Sequence, residues 1–298
     1  MNANFTKRNL NMKKIIIIFT VALVSAELLI RLAGLADVPV RIADKVTGYI
    51  PAPNQEGKFL NNRWVINELS MITDKPYDKT VPNRILAGDS VVFGGNPLDQ
   101  EERVASVAST VLGDAVYPIA DGSWGFKNQI NYFLKNKGLL GEPLQMAFLL
   151  NGGDFGTPSV WSCQSFHPRE KPAFHLLFVA KKYFAPTCVP TPSDLQVPDY
   201  DLHSGLVNLF ELYPQTRVTL ILYPDRKDFK DKVDLTARLR EHVDVALFDN
   251  RLEVVDLNSL FSSDPDLWEI SFYSDGIHPS AEGAAAIGAL LARRVFNN

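Results

Sequence analysis

The sequence predicts an α/β protein: a three-layer α/β/α sandwich around a mainly parallel five-stranded sheet, preceded by one N-terminal transmembrane helix. Three observations predict this. Five short apolar runs, at 85–87, 116–120, 146–150, 218–223 and 252–257, alternate with stretches of helical period at 101–112, 126–135, 233–243 and 281–295. The runs are apolar throughout, as strands covered on both faces are, and helices between strands imply crossover connections and hence parallel pairing. Near the N-terminus a lysine pair abuts four consecutive isoleucines.

Residues 1–36 read as a targeting element. Lys7, Arg8, Lys13 and Lys14 precede the apolar run 15–26, which continues over 28–36 with only Glu27 and Arg31 interrupting. Two readings compete: a cleaved signal peptide with Val24 and Ala26 as the small residues before the cut, or an uncleaved signal-anchor of about 20 residues. The anchor is preferred, because Glu27 and Arg31 are four apart and can pair on one helix face at the outer interface. Positive charge stays inside. This predicts a single-pass protein of the inner (cytoplasmic) membrane with its N-terminus inside and its body extracytoplasmic, in the periplasm.

The 298 residues are 46% hydrophobic, 21% charged and 10% aromatic, an ordinary globular composition that excludes wholesale disorder. Formal net charge is −4. The first 36 residues carry five basic side chains and one acidic, which leaves 25 basic against 33 acidic residues in the rest, a balance of −8. So acidic a body repels phosphate backbones, and nucleic acid is not an expected partner.

Segment 37–82, rich in Pro and Asn, reads as a linker containing one alternating patch at 59–66 that fits a strand or hairpin. The main domain spans 83–298. Within it, residues 156–201 interrupt the strand–helix alternation with a Pro-rich stretch too long for an ordinary connection, which predicts a cap near a site. Both cysteines, Cys163 and Cys188, lie there, 25 residues apart. After export they are candidates for a disulfide, with free thiols as the alternative. No CxxC occurs and the nearby histidines lack ligand spacing, so no metal site is expected.

In open parallel sheets ligands bind beyond the carboxyl ends of the strands. Four such places stand out. After the first run comes Gly88-Asp89-Ser90, a turn toward a helix that would expose the Ser90 hydroxyl where amide N–H groups point outward. Before the last helix comes Asp275-Gly276-Ile277-His278, in which the carboxylate can bind one imidazole nitrogen and leave the other to take a proton. After the second run, Asp121-Gly122-Ser123-Trp124-Gly125 offers glycine backbone for close approach to a substrate oxygen. After the third comes Asn151-Gly152-Gly153-Asp154. Either of the first two motifs alone is also a common turn or capping loop; together they converge on one sheet edge.

This pairing resembles the SGNH, or GDSL, hydrolase superfamily, a flavodoxin-like α/β/α sandwich with a catalytic Ser in its first block and Asp-x-x-His in its last. The resemblance covers roughly 83–298. It implies Ser90 as nucleophile, His278 as general base then acid, and Asp275 as the group orienting the imidazole. It also implies an oxyanion hole of the Ser90 and Gly125 N–H groups and a third donor. The family pattern Gly-x-Asn-Asp would supply an Asn side chain, but counting back from Asp154 puts Gly153 there. Asn151, the Gly153 backbone, or no group at all takes that place; one missing donor costs about 3–4 kcal/mol of transition-state stabilisation. Asp89, Trp124 and Asp154 are candidate substrate contacts. The anchor with its Glu-Leu-Leu-Ile-Arg run at 27–31 looks like membrane-tethered members of bacterial envelope systems.

The expected activity is a serine esterase acting on O-acyl, foremost O-acetyl, groups of an envelope carbohydrate through an acyl-Ser90 intermediate. No metal or organic cofactor is expected. Alternatives are a polysaccharide O-acetyltransferase using the same site, for which a membrane acyl-donor protein is a candidate partner, or a catalytically weak carbohydrate-binding protein. His167, His175, His203 and His242 are expected to be structural.

Overall fold

The computed structural model describes residues 3–95 and 98–297 and begins with α1 (Ala3–Leu32). Its segment Met12–Leu32 is 21 residues long and apolar enough to cross a membrane, spanning about 31 Å at 1.5 Å per residue. Ile15, Ile16, Ile17 and Ile18 are all exposed, so the protein's own body covers none of them. The side chains of Lys7 and Arg8 lie outside the described residues. Glu27 and Arg31 pair at 2.7 Å, and Glu27 also accepts the N–H groups of His175 and Leu176, each at 2.9 Å.

The segment expected to be a linker is folded instead. β1 (Arg41–Asp44) and β2 (Gly48–Pro51) form one antiparallel hairpin, and β3 (Gln55–Phe59) and β4 (Asn62–Ile66) form a second, which accounts for the alternating patch. Tyr49, Ile50 and Met71 join the main core, while Val38, Phe59, Trp64 and Ile66 make a small core of their own. The physical reason is burial: scattered apolar residues among Pro and Asn give no period to read, yet Tyr49, Ile50 and Met71 find cover on the body and Val38, Phe59, Trp64 and Ile66 cover one another.

The central sheet contains β5 (Arg84–Gly88), β6 (Val116–Ala120), β7 (Gln145–Leu150), β8 (Arg217–Leu222) and β9 (Leu252–Asp256), all parallel, in the order β6-β5-β7-β8-β9. Around it lie α2 (Ser90–Phe93), α3 (Val104–Leu112), α4 (Phe126–Leu140), α5 (His175–Phe184), α6 (Leu202–Leu212), α7 (Arg226–Lys230), α8 (Leu235–Arg240), α9 (Asn258–Ser263), α10 (Pro265–Ile270) and α11 (Ala281–Arg294). Alternate strand residues feed two cores. Ile85, Met146, Phe148 and Leu220 pack with Phe126 and Phe133 of α4 and Leu206 of α6. Leu86, Ala147 and Ile221 pack with Val104 and Ala108 of α3 and Ile287 and Leu291 of α11 on the other face. The strand order reverses direction between β5 and β7, where open α/β sheets form their ligand crevice.

The 156–201 insert carries α5 and is closed by a Cys163–Cys188 disulfide. α5 packs beside the end of α1, so the insert bridges the apolar helix and the sheet edge.

Candidate active site

β5 ends at Gly88, where a Cβ would lie 2.3 Å from Val92 Cγ2; only glycine permits so tight a strand-to-helix turn. Asp89 then caps α2, its Oδ1 accepting the Val91 N–H at 2.8 Å. Ser90 follows as the first helical residue, half-buried, so its N–H has no place in the helix's own hydrogen-bond ladder.

The loop after α10 presents His278. Gly276 takes φ +77°, and the turn lets Asp275 Oδ1 accept the N–H groups of Ile277 and His278, both at 3.0 Å, while Oδ2 lies 2.7 Å from His278 Nδ1. Burial pushes the Asp275 carboxyl up, but the His278 ring and these two amides outweigh it and hold it below its usual value. The loop is tied to the end of β8: the Tyr223 hydroxyl donates to Ile277 O at 2.7 Å, and the Arg226 N–H donates to Gly276 O at 2.8 Å. His278 Nε2 is buried and has no hydrogen-bond partner. Ser90, Asp275 and His278 line one cavity of about 490 Å³.

Other expected site residues fall elsewhere. The Gly125 N–H is spent on Asn128 Oδ1 at 3.1 Å, because Gly125 caps α4; the turn Gly122–Ser123 lines the cavity in its place. The Gly153 N–H is likewise taken, by Asn151 Oδ1 at 2.7 Å. Asn151 donates its side-chain amide to Asp89 Oδ2 at 2.9 Å. Trp124 is fully buried, its indole N–H donating to Tyr49 O at 2.8 Å, so it packs the core rather than meeting substrate. Asp89 and Asp154 are buried as well, and Asp154 accepts the Asn151 N–H. Burial raises both carboxyls, and the Asp89 charge pushes Asp154 further up.

Several cavity residues come from segments that carry no local signal. Arg41 of β1 reaches in, held by Asp121, with Nη2 2.9 Å from Oδ1. Phe166, His167 and Lys182 arrive from the insert. His167, expected to be structural, stacks on Tyr49 with ring centroids 4.1 Å apart; burial lowers its pKa to about 4, so the ring is neutral. A lone histidine in a Pro-rich stretch gives no hint of this; only the insert's position over the sheet edge could.

No protein-family model and no curated protein matches the chain. Solved structures do. A lipolytic protein of the G-D-S-L family from Veillonella parvula is 13% identical, with 73% of this chain and 100% of that one covered at a TM-score of 0.46. A family 2 carbohydrate esterase with a carbohydrate-binding domain from Corynascus thermopiles (Myceliophthora fergusii) is 17% identical, covering 80% and 71% at 0.43. The catalytic domain of peptidoglycan O-acetyltransferase A from Streptococcus pneumoniae is 14% identical, covering 70% and 89% at 0.38. The parallel sheet with a core on each face is an α/β/α sandwich. All three likenesses are distant, and the chemistry of this chain is read from its own cavity.

Proposed function

We propose that this protein is an SGNH-type serine enzyme acting on O-acyl, foremost O-acetyl, esters of an envelope carbohydrate. α1 would hold it in the cytoplasmic membrane, with the body on the extracytoplasmic side. The observation that carries the reading is the Asp275–His278 contact of 2.7 Å, combined with an Nε2 that has no hydrogen-bond partner among the described residues, on a residue that lines the same cavity as Ser90. Asp275 fixes the tautomer with hydrogen on Nδ1, so Nε2 is the basic nitrogen.

In the forward half-reaction Nε2 takes the Ser90 proton as Oγ attacks the acyl carbonyl carbon. The resulting oxyanion would be met by the Ser90 N–H and by Ser123, since the Gly122 N–H is bonded to Asp121 Oδ1 at 2.7 Å. Collapse breaks the bond to the sugar oxygen, which leaves with the proton from His278. Water or a second sugar hydroxyl then gives its proton to Nε2 and attacks the acyl-Ser90 carbonyl; collapse releases the acid or the new ester, and Oγ leaves with the proton returned from Nε2. Hydrolysis and transfer share every residue and differ only in that acceptor.

A fluorophosphonate probe tests the reading. Covalent labelling of the wild-type protein at Ser90, absent in Ser90→Ala, is the expected result. An unlabelled, folded wild-type protein would leave a carbohydrate-binding role instead. Product analysis with an acetylated oligosaccharide, with and without an unacetylated acceptor, separates hydrolysis from transfer.

A further inference from the structure

The catalytic cavity has a side pocket of about 60 Å³, and the two share Arg41, Phe93, Gly95, Phe166 and Lys182. Arg103 forms the pocket's far wall. Its guanidinium is buried, with the residue only 3% exposed, and while Nη2 donates to Arg63 O at 3.3 Å, Nε and Nη1 have no hydrogen-bond partner. An unsatisfied buried guanidinium is costly, so this arrangement asks for an acceptor. The charges of Asp99 and Glu101 act on it from a distance, but neither carboxylate reaches its free nitrogens: Asp99 caps the turn at Gln100, and Glu101 lies 3.5 Å from Arg63.

Lys182 closes the opposite side. Among the described residues no salt bridge to it is formed; its ammonium lies 4.8 Å from the centre of the Phe59 ring. Arg41 contributes no net charge, because Asp121 neutralises it. Arg41 and Arg103 lie on the Phe93 ring at 5.7 and 5.5 Å. The pocket therefore holds two positive side chains, Arg103 and Lys182, neither in an ion pair among the described residues, between aromatic walls. Burial lowers Arg103 to about 10 and, with the Arg41 charge, Lys182 to about 8, so both remain mainly protonated at pH 7.

We propose that this side pocket binds an anionic substituent of the carbohydrate, a carboxylate or a phosphate, while the sugar bearing the acyl ester occupies the cavity at Ser90. Size supports the division. About 60 Å³ accommodates a few water-sized groups, which suits an acidic substituent and not a ring, whereas the main cavity is large enough for a sugar. The charge is local: the body as a whole is acidic, so a polyanion gains nothing from the general surface and must be recognised here. The substrate class becomes an O-acylated acidic polysaccharide. This rests on the esterase or transferase reading above.

The test is calorimetry on the full-length Ser90→Ala protein in detergent, which binds without turnover. Three oligosaccharides of equal length are compared: a uronic acid oligomer, a phosphate-bearing oligomer and a neutral glucan. The expected result is that at least one anionic oligomer binds about tenfold or more tighter than the glucan and loses most of that preference in high salt. Whichever oligomer shows it identifies the anion. Lys182→Gln and Arg103→Met, each added to Ser90→Ala, should bring the preference to about threefold or less. Lys182 is half-buried on the insert, so its variant stands even if Arg103→Met fails to fold. Equal binding of all three, no binding of any, or a preference that survives Lys182→Gln overturns the proposal. Fluorophosphonate labelling of the wild-type protein, scored separately, shows whether the catalytic reading has failed instead.

Discussion

The Asn151 side-chain amide lies 2.9 Å from Asp89 Oδ2, joining the residue after β7 to the one that precedes Ser90, the proposed nucleophile. Asn151 Oδ1 also accepts the Gly153 N–H at 2.7 Å, so one side chain ties the two loops flanking the reversal in strand order. Asn151→Ala would strip a buried carboxylate of a donor and orphan the Gly153 N–H. We expect a loss of about 1–3 kcal/mol in stability, together with reduced turnover as the Asp89–Ser90 turn loosens. Urea denaturation checks this, and an unchanged midpoint would show that the contact holds nothing.

Asp275 acts on the imidazole through geometry and charge. Asp275→Asn preserves shape but offers Nδ1 an amide that can settle the wrong tautomer, so kcat should fall by about 10³–10⁴ with a much smaller change in KM. Because its folded pKa lies below the ordinary carboxylate value, the pairing with His278 stabilises above that ordinary value and is lost only as pH falls through the folded one. Asp275 should therefore stay ionised well into the acid range and set no limb of the wild-type pH–rate profile above the ordinary carboxylate value. Steady-state kinetics from pH 4 to 8 measures both points.

The sheet was legible because its strands are short apolar runs, the inner ones buried on both faces, and the two motifs that line one cavity because turn residues and reactive side chains coincide in them. The Glu27–Arg31 pair followed from helical spacing, but its second role of receiving the first amides of α5 depends on a contact 148 residues away. Gly125 was misplaced for a related reason. A glycine ahead of a helix serves equally as cap or as oxyanion donor, and the choice fell to Asn128, whose side chain reaches back to it. Arg41, Lys182 and Arg103 stand in unrelated segments, and only folding of the region read as a linker brings them around Phe93.

The disulfide closes a 25-residue separation within the insert that carries Phe166, His167 and Lys182 to the cavity. Replacing both cysteines by alanine should cost about 3 kcal/mol by loop-closure entropy. Catalysis should suffer as well, since three wall residues lose their tether. Dithiothreitol applied to the folded wild-type protein should lower kcat/KM in parallel with thiol release. Full activity after complete reduction would show that the insert holds its place through packing alone.

Asp89 and Asp154 are buried carboxyls near enough for the charge of one to act on the other, and burial followed by that repulsion raises Asp154 well above its ordinary value. The folded protein then keeps a proton there that the unfolded chain releases near pH 4, so the folded state binds more protons over that interval and stability falls as pH rises through it. Asp154→Asn keeps an oxygen to accept the Asn151 N–H, places an amide beside Asp89 and removes the titration. The variant should gain stability relative to the wild-type protein, and gain more at pH 8 than at pH 5. Denaturant midpoints at the two pH values decide it, since an equal difference at both would mean that Asp154 titrates alike in the folded and unfolded chains.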